Sequence, residues 1–292
     1  MPYNARMTPQ FTPEAIAAHC KNSSAAALKI EIVAQTGSTN DDLIARLDPN
    51  TRGARLNAPT LLIALTQTAG RGRGQRVWYS DSQSLTFSLA WRFQLDIAAL
   101  AGLSLSVGVA IAEALNQAAI PIRLKWPNDL LLGNGKAGGI LIETVTNTSL
   151  LHQQAWAVIG VGINVGEAVK PITKEQHASS SLTNSAPLPI AWLPITDRAA
   201  LIAALLDSLV ESLAIFAKQR LQPFIERWNS LDAYAEQPVT IFDQQRCIHQ
   251  GVAKGIDATG RLQLQTTHEL IALTAGDVSL RLTEDGHHAV AH

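Results

Sequence analysis

Between residues 84 and 121 the hydrophobic repeat of the chain changes once, from two to about 3.6 residues, and this restricts the fold more than any other feature. Leu85, Phe87, Leu89, Trp91 and Phe93 are apolar at every second position, with Ser84, Thr86, Ser88, Ala90 and Arg92 between them. That alternation describes a half-buried strand. Leu100, Leu103, Val107, Ile111 and Leu115 follow at helical spacing, and Pro121 closes the segment. Further strands are expected at 61–66, 122–126, 139–145 and 155–161. A second helical region spans 197–230, with Ile202, Leu205, Leu206, Leu209, Leu213 and Phe216 on one face and Pro223 as a break. Helices are few relative to strands, so an α+β fold with a mixed sheet packed on helices is expected over a fully alternating parallel one.

The ends of the chain read differently. Residues 1–30 form an N-terminal extension with one short helix at 13–21, and 166–195, rich in Ser, Thr, Pro and Asn, read as a long loop. From 238 to 282 short strands resume, with turns at Lys254–Gly255 and Thr259–Gly260. That stretch suits a small barrel, marginal alone and packed on the main domain. The expected division is 31–232 for the catalytic domain, 233–284 for the barrel and 285–292 for a disordered tail ending in GHHAVAH.

The net charge is −1 and the pI about 6.7, which give no global attraction for nucleic acid or an anionic membrane. Any phosphate binding must come from a local cluster. Cys20 and Cys247 lie far apart and form no metal or redox spacing, as in a protein of the reducing cytoplasm. The first ten residues lack a signal pattern and no apolar run reaches ~18 residues, so no membrane association is expected.

Such a cluster exists in TQTAGRGRGQRVW, residues 66–78. Gly70, Gly72 and Gly74 alternate with Arg71 and Arg73, and Arg76 follows. Glycines let a backbone approach a ligand, and three arginines in six residues concentrate positive charge in an otherwise neutral chain. A solvated arginine turn is the plain alternative. A Walker loop is excluded because no Gly-Lys-Ser/Thr follows, and Gln75 breaks a dinucleotide fingerprint.

Three other stretches carry chemistry. In KWPNDLLLGNGKAGGILIE, Pro127 turns the chain so that Asn128 and Asp129 sit at a corner, and Lys136 precedes Gly138–Gly139. Asp129 could orient a lysine or hold Mg²⁺, and Lys136 could neutralise a carboxylate or phosphate; Asn-Asp is also a plain turn. Ser38-Thr39-Asn40-Asp41-Asp42 reads as a helix N-cap with an acidic first turn, a place that also grips polar ligands. Gly160-Val161-Gly162-Ile163-Asn164-Val165 ends an apolar strand with glycines, which a tight turn would do as well.

Taken together, STN at 38–40, TQTAGRGR at 66–73, KWPND at 125–129, KAGGILIE at 136–143 and GVGINV at 160–165 resemble the biotin protein ligase family in order and spacing. QGVAKGIDATGRLQL and the later GDVSLR resemble that family's SH3-like barrel, so the likeness runs from about Ile30 to Leu282. One departure stands out: Gln75 occupies the place of a further loop glycine.

The resemblance implies a biotin–lipoate ligase-like catalytic domain and an enzyme that adenylates biotin with MgATP, then transfers it to a lysine of a biotin carboxyl carrier protein. It places Ser38, Thr39, Asn40, Gln67, Arg71, Gly72, Arg73, Lys136 and Gly138 around biotin. Arg71, Arg73, Trp78, Lys125, Asn128, Asp129 and Asn164 fall to ATP, and Asp129 also to Mg²⁺. Lys136, Arg73 and Asp129 are the expected catalytic residues. Joining a carboxylate to a phosphate brings two anions together, so fixed cations matter more than a nucleophile. The implied form is a monomer or homodimer. Two alternatives are a biotin-responsive repressor and an idle binding protein. A repressor needs a helix-turn-helix of about 50–60 residues, and only about thirty precede the first strand. An idle protein would be expected to lose Arg73, Lys136 or Asp129, and all three are present.

Overall fold

Apolar strands build a mixed seven-stranded sheet, described here from a computed structural model covering residues 11–48, 55–146, 154–166, 188–243, 246–276 and 278–283. Its strands are β1 (Lys29–Thr36), β2 (Thr60–Gln67), β3 (Ser84–Phe93), β4 (Ile122–Lys125), β5 (Asp129–Leu132), β6 (Gly135–Thr146) and β7 (Ala155–Asn164). Their spatial order is β1-β2-β3-β7-β6-β5-β4. The β1–β2 pair is parallel and the other pairs antiparallel. A parallel pair needs a crossover, and α3 (Thr39–Leu47) lies within that connection.

β3 sits between β2 and β7, and its alternation does not mean what it means on an edge. Leu85, Phe87, Leu89 and Phe93 enter the main core with α4 (Leu103–Gln117) and α5 (Arg198–Gln219), where Phe93 meets Phe216 edge-on. The opposite face is buried too: Ser84, Thr86 and Ser88 are 6%, 2% and 0% exposed. The expected half-buried strand is therefore corrected to one covered on both sides. Ser88 tolerates burial because hydroxyl and amide groups of α3 hydrogen-bond it.

Asp197 caps α5 through Ala200 N–H, and a 3-10 turn holding Pro223 separates α5 from α6 (Ile225–Leu231). Two short helices, α1 (Pro13–His19) and α2 (Ser23–Ala26), pack on α5, with Asp207 accepting from the backbone of Lys21 and Asn22. Ala98–Gln117 and Arg198–Gln219 are each long and apolar enough to cross a membrane, which the sequence reading missed. Most of each is buried in this fold, as the core helices of a sheet-and-helix layer are.

A five-stranded antiparallel sheet follows: β8 (Pro238–Asp243), β9 (Arg246–Ile256), β10 (Leu262–Gln265), β11 (Leu270–Leu273) and β12 (Val278–Leu282), ordered β11-β10-β9-β8-β12. This is the small SH3-like unit expected from the sequence. Its turns at Gly255 and Gly260 both take φ near +81, which favours glycine. Val239, Ile241, Ala253, Leu262 and Leu264 continue the main core. Trp126 Nε1 donates across to the Gly260 carbonyl at 3.2 Å. The tail at 285–292 and most of the loop expected at 166–195 lie outside the described residues.

Candidate active site

The N-terminus of α3 meets the buried polar face of β3 in a continuous chain of hydrogen bonds. Ser38 is the N-cap, accepting from Asp41 N–H, as its position before an acidic first turn predicts. Gln67, at the end of β2, accepts from Thr39 N–H at 2.8 Å and lies 3.0 Å from the Thr39 hydroxyl. The Thr39 and Ser88 hydroxyls are 2.6 Å apart, and Ser88 donates to Asn40 Oδ1 at 2.6 Å. Asn40 Nδ2 donates onward to Glu143 at 2.8 Å and to the Leu141 carbonyl at 3.3 Å. Asn40 needs Gly160 opposite it, since a Cβ there would lie 2.4 Å from Oδ1.

The β4–β5 corner supplies charge. The Trp126–Pro127 bond is cis, Asn128 Nδ2 donates to the Ile140 carbonyl at 2.8 Å, and Ile140 N–H donates back to the Asn128 carbonyl. Asp129 accepts from Lys136 Nζ at 2.5 Å and Lys125 Nζ at 3.5 Å. Burial alone would raise the Asp129 pKa, but the two ammonium groups outweigh it and hold the carboxyl below its ordinary value. Burial depresses the Lys125 ammonium, and Asp129 opposes that shift. Lys136 passes over Gly139, where a Cβ would lie 3.6 Å from Nζ.

The Gly-Arg loop folds back on itself. Gly72 N–H donates to the Arg76 carbonyl at 2.7 Å and Trp78 N–H to the Gly70 carbonyl at 2.8 Å. The left-handed residue of the turn is Gly74, at φ +63, so position 75 needs no glycine in this conformation. Arg71 reaches both Asp41 and Glu143. Burial lowers its pKa and the two carboxylates more than offset this, raising it overall. Arg71 is 38% and Asp41 53% exposed, so this cluster resembles surface pairs worth about 0–1 kcal/mol, weak enough to exchange partners. Arg73 Nη2 donates to the Val278 carbonyl at 2.7 Å, tying the loop to the C-terminal sheet.

These groups enclose one cleft with a cavity of about 170 Å³. Ser38, Thr39, Asn40 and Gln67 line one part, Arg71, Gly72, Arg73 and Trp78 its loop wall, and Lys125, Asn128, Asp129 and Lys136 its charged corner. Two expected residues stand apart from the lining. Gly138 serves backbone packing, since a Cβ would lie 2.6 Å from the Gly162 carbonyl oxygen. Asn164 donates its amide to the carbonyls of Lys136 and Ala191, so it fixes the strand that carries Lys136.

Of the two roles expected of Asp129, orienting a lysine is the one whose partners are in place, with Lys136 Nζ at 2.5 Å and Lys125 Nζ at 3.5 Å. Among the described residues no group of three His, Cys, Asp or Glu could hold a metal.

Residues 33–164 match the Biotin/lipoate A/B protein ligase family, and residues 235–281 match the Biotin protein ligase C terminal domain. The chain is 32% identical over 257 residues to the Biotin--[acetyl-CoA-carboxylase] ligase of Mycobacterium tuberculosis, covering 86% of this chain and 88% of that protein. The chain belongs to the biotin protein ligase family. It is also 34% identical over 250 residues to the Bifunctional ligase/repressor BirA of Escherichia coli, covering 85% of this chain and 72% of that protein. The fold is that of the biotin protein ligase from Aquifex aeolicus in complex with biotin and ATP, with a TM-score of 0.69, 24% identity and coverage of 87% and 99%.

For a biotin protein ligase, the cleft contains more than its motifs announce. Ser88 and Glu143 complete the hydrogen-bond chain behind its lining, and Thr86, Gly162, Val278, Ser279 and Leu280 add to the walls. Glu143 closes the KAGGILIE stretch and could have been found there. Ser88 carried no signal, since a serine between apolar strand residues reads as solvent-facing.

Proposed function

We propose that this chain uses the cleft to join the carboxylate of biotin to the α-phosphate of ATP, then passes the biotinyl group to a lysine of a biotin carboxyl carrier protein. The observation that carries this reading is the convergence of Lys136 and Arg73 on the cleft that also holds the hydrogen-bonded polar groups Thr39, Asn40 and Gln67. One end suits a small polar ring, and the other suits two anions that must be brought together.

In this reading Ser38, Thr39, Asn40 and Gln67 hydrogen-bond the ureido ring of biotin. Lys136 faces the carboxylate and the acyl-phosphate oxygens, with Asp129 holding its ammonium in place. Arg71, Gly72 and Arg73 close over the carboxylate and α-phosphate, Trp78 forms part of the nucleotide wall, and Lys125 keeps Asp129 ionised. Asn128 and Asn164 act through the backbones they brace. Mg²⁺ enters with ATP. The carrier is supported by two relatives, the Biotin--[acetyl-CoA-carboxylase] ligases of Mycobacterium tuberculosis and Paracoccus denitrificans.

The decisive experiment incubates the protein with a purified carrier domain, biotin and MgATP and weighs the carrier. A mass increase of one biotinyl group, dependent on both small substrates, is expected; an unmodified carrier together with no pyrophosphate release would sink the reading. Repression is a second reading, favoured by the bifunctional relatives. With a net charge of −1 we propose no operator binding. A discrete gel-shift complex formed with biotin and ATP would overturn that.

A further inference from the structure

Glu143 lies outside the lining of the cleft, yet two of the cleft's polar groups end on it. Its carboxylate accepts from Asn40 Nδ2 at 2.8 Å and from Arg71 Nη2 at 2.8 Å. An amide can present either end to a neighbour, and beside a carboxylate only the NH₂ end is tolerated. Asn40 Oδ1 is thereby turned toward Ser88, 2.6 Å away, whose hydroxyl must donate to it. With that proton committed, the 2.6 Å contact between Ser88 and Thr39 is attractive only when Thr39 donates. The Thr39 proton therefore lies toward Ser88 at 2.6 Å and Gln67 Oε1 at 3.0 Å, with the shorter contact the stronger, and the lone pairs of its oxygen are left to accept. Gln67 Oε1 is held by Thr39 N–H, so its NH₂ is left as the donor of that side chain. The result is a pocket wall with an acceptor oxygen at Thr39 and a donor at Gln67. A cyclic urea, with N–H groups on either side of a carbonyl, needs that combination.

We propose that Glu143 is a positioning residue for biotin recognition: it sets the direction of the hydrogen bonds that run from Asn40 through Ser88 to the Thr39 hydroxyl. It also holds the Arg71 guanidinium beside the pocket. The Leu141 carbonyl, at 3.3 Å, is the weaker of the two acceptors for Asn40 and does not replace it. This role rests on the ligase reading above and assigns to it a residue that never touches the substrate.

The test measures biotin-dependent ATP–pyrophosphate exchange, with biotin binding followed by calorimetry in the absence of ATP. Losing a hydrogen bond to a charged group should raise the biotin KM and Kd of Glu143→Ala about tenfold or more, with kcat within about threefold. Glu143→Gln keeps an amide oxygen facing Asn40 and should return the KM to within about threefold of wild type. A residue that served stability alone would shift the melting temperature of both variants and leave the KM unmoved. Should Glu143→Ala fail to fold, Asn40→Asp and the double variant Asn40→Asp/Glu143→Gln decide. The single change sets two carboxylates against each other, and the double change restores a donor and should recover biotin binding. A wild-type KM in Glu143→Ala, equal losses in the alanine and glutamine variants, or no recovery in the double variant would each overturn the role. A wild-type protein that neither exchanges pyrophosphate nor binds biotin is a different failure, that of the ligase reading itself.

Discussion

The indole of Trp78 packs against Gly162, where a Cβ would come within 2.4 Å of Cε2 and 2.8 Å of Nε1. Trp78 N–H also donates to Gly70, so the seat on β7 fixes the far end of the arginine loop. Gly162→Ala must therefore push the ring off the strand and shift the loop. Overpacking of this kind costs about 1–3 kcal/mol, and adenylate formation should fall about tenfold or more. Pyrophosphate release from biotin and MgATP checks it; a wild-type rate would mean that the ring has no positional role.

Lys136→Ala and Arg73→Ala each remove a cation from the place where two anions must meet. The expected loss of transition-state stabilisation is about 3–4 kcal/mol, comparable to losing an oxyanion donor. Adenylate formation under single-turnover conditions should fall in both, even at saturating biotin and ATP. If both retain full rates, the cations stand elsewhere.

Asp129→Ala should behave differently from Lys136→Ala, because it leaves Lys125 without its carboxylate. Lys125 is 11% exposed and its pKa is already depressed by burial. Breaking a buried ion pair from one side costs about 3–5 kcal/mol, and shedding the lysine proton limits that cost. Urea unfolding should show Asp129→Ala markedly less stable than Lys136→Ala. Equal stabilities would place the Lys125–Asp129 pair in solvent.

Asp232, at the end of α6, has one carboxylate oxygen buried without a hydrogen-bond partner, and burial pushes its carboxyl up to about 6 from an unfolded value of 3.8. Between these values the folded chain keeps a proton that the unfolded chain releases. Stability from this group is thus lost as pH rises from about 4 to 6, by about 3 kcal/mol in all, and no further above that. Asp232→Asn cannot ionise, so its melting temperature relative to wild type should climb through that window and then level off. A constant difference across pH would remove Asp232 from the titration.

The arginine loop offers trypsin two exposed sites, Arg71 and Arg76, while Arg73 is half-buried and bonded to Val278. Cleavage of the free protein should begin after Arg71 or Arg76. Biotin with MgATP should protect both bonds, since an anion between the arginines replaces the exchangeable contacts to Asp41 and Glu143. Equal digestion rates with and without both ligands would show that the loop does not close.

Much of the site was legible in the sequence because it is local. An N-cap, a proline corner, a lysine before paired glycines and alternating Gly-Arg each state their geometry within a few residues, and twelve expected residues do line one cleft. β5 was missed because four residues after a proline corner show no period. Gln75 stands where a further loop glycine was expected, and the left-handed turn falls on Gly74 instead.

By itself the sequence determined the two periodicities, the caps and turns, the family motifs and the small C-terminal sheet, all set by neighbours along the chain. Tertiary structure alone decided that Ser88 is interior, because burial of a central strand's second face depends on a helix that begins 49 residues earlier. It alone brought Glu143 to Asn40 and Arg71, across 103 and 72 residues, and set Asp129 between Lys125 and Lys136. Hydrogen bonds and ion pairs reach only a few ångströms, so which groups they join is set by the sheet order that places distant segments side by side.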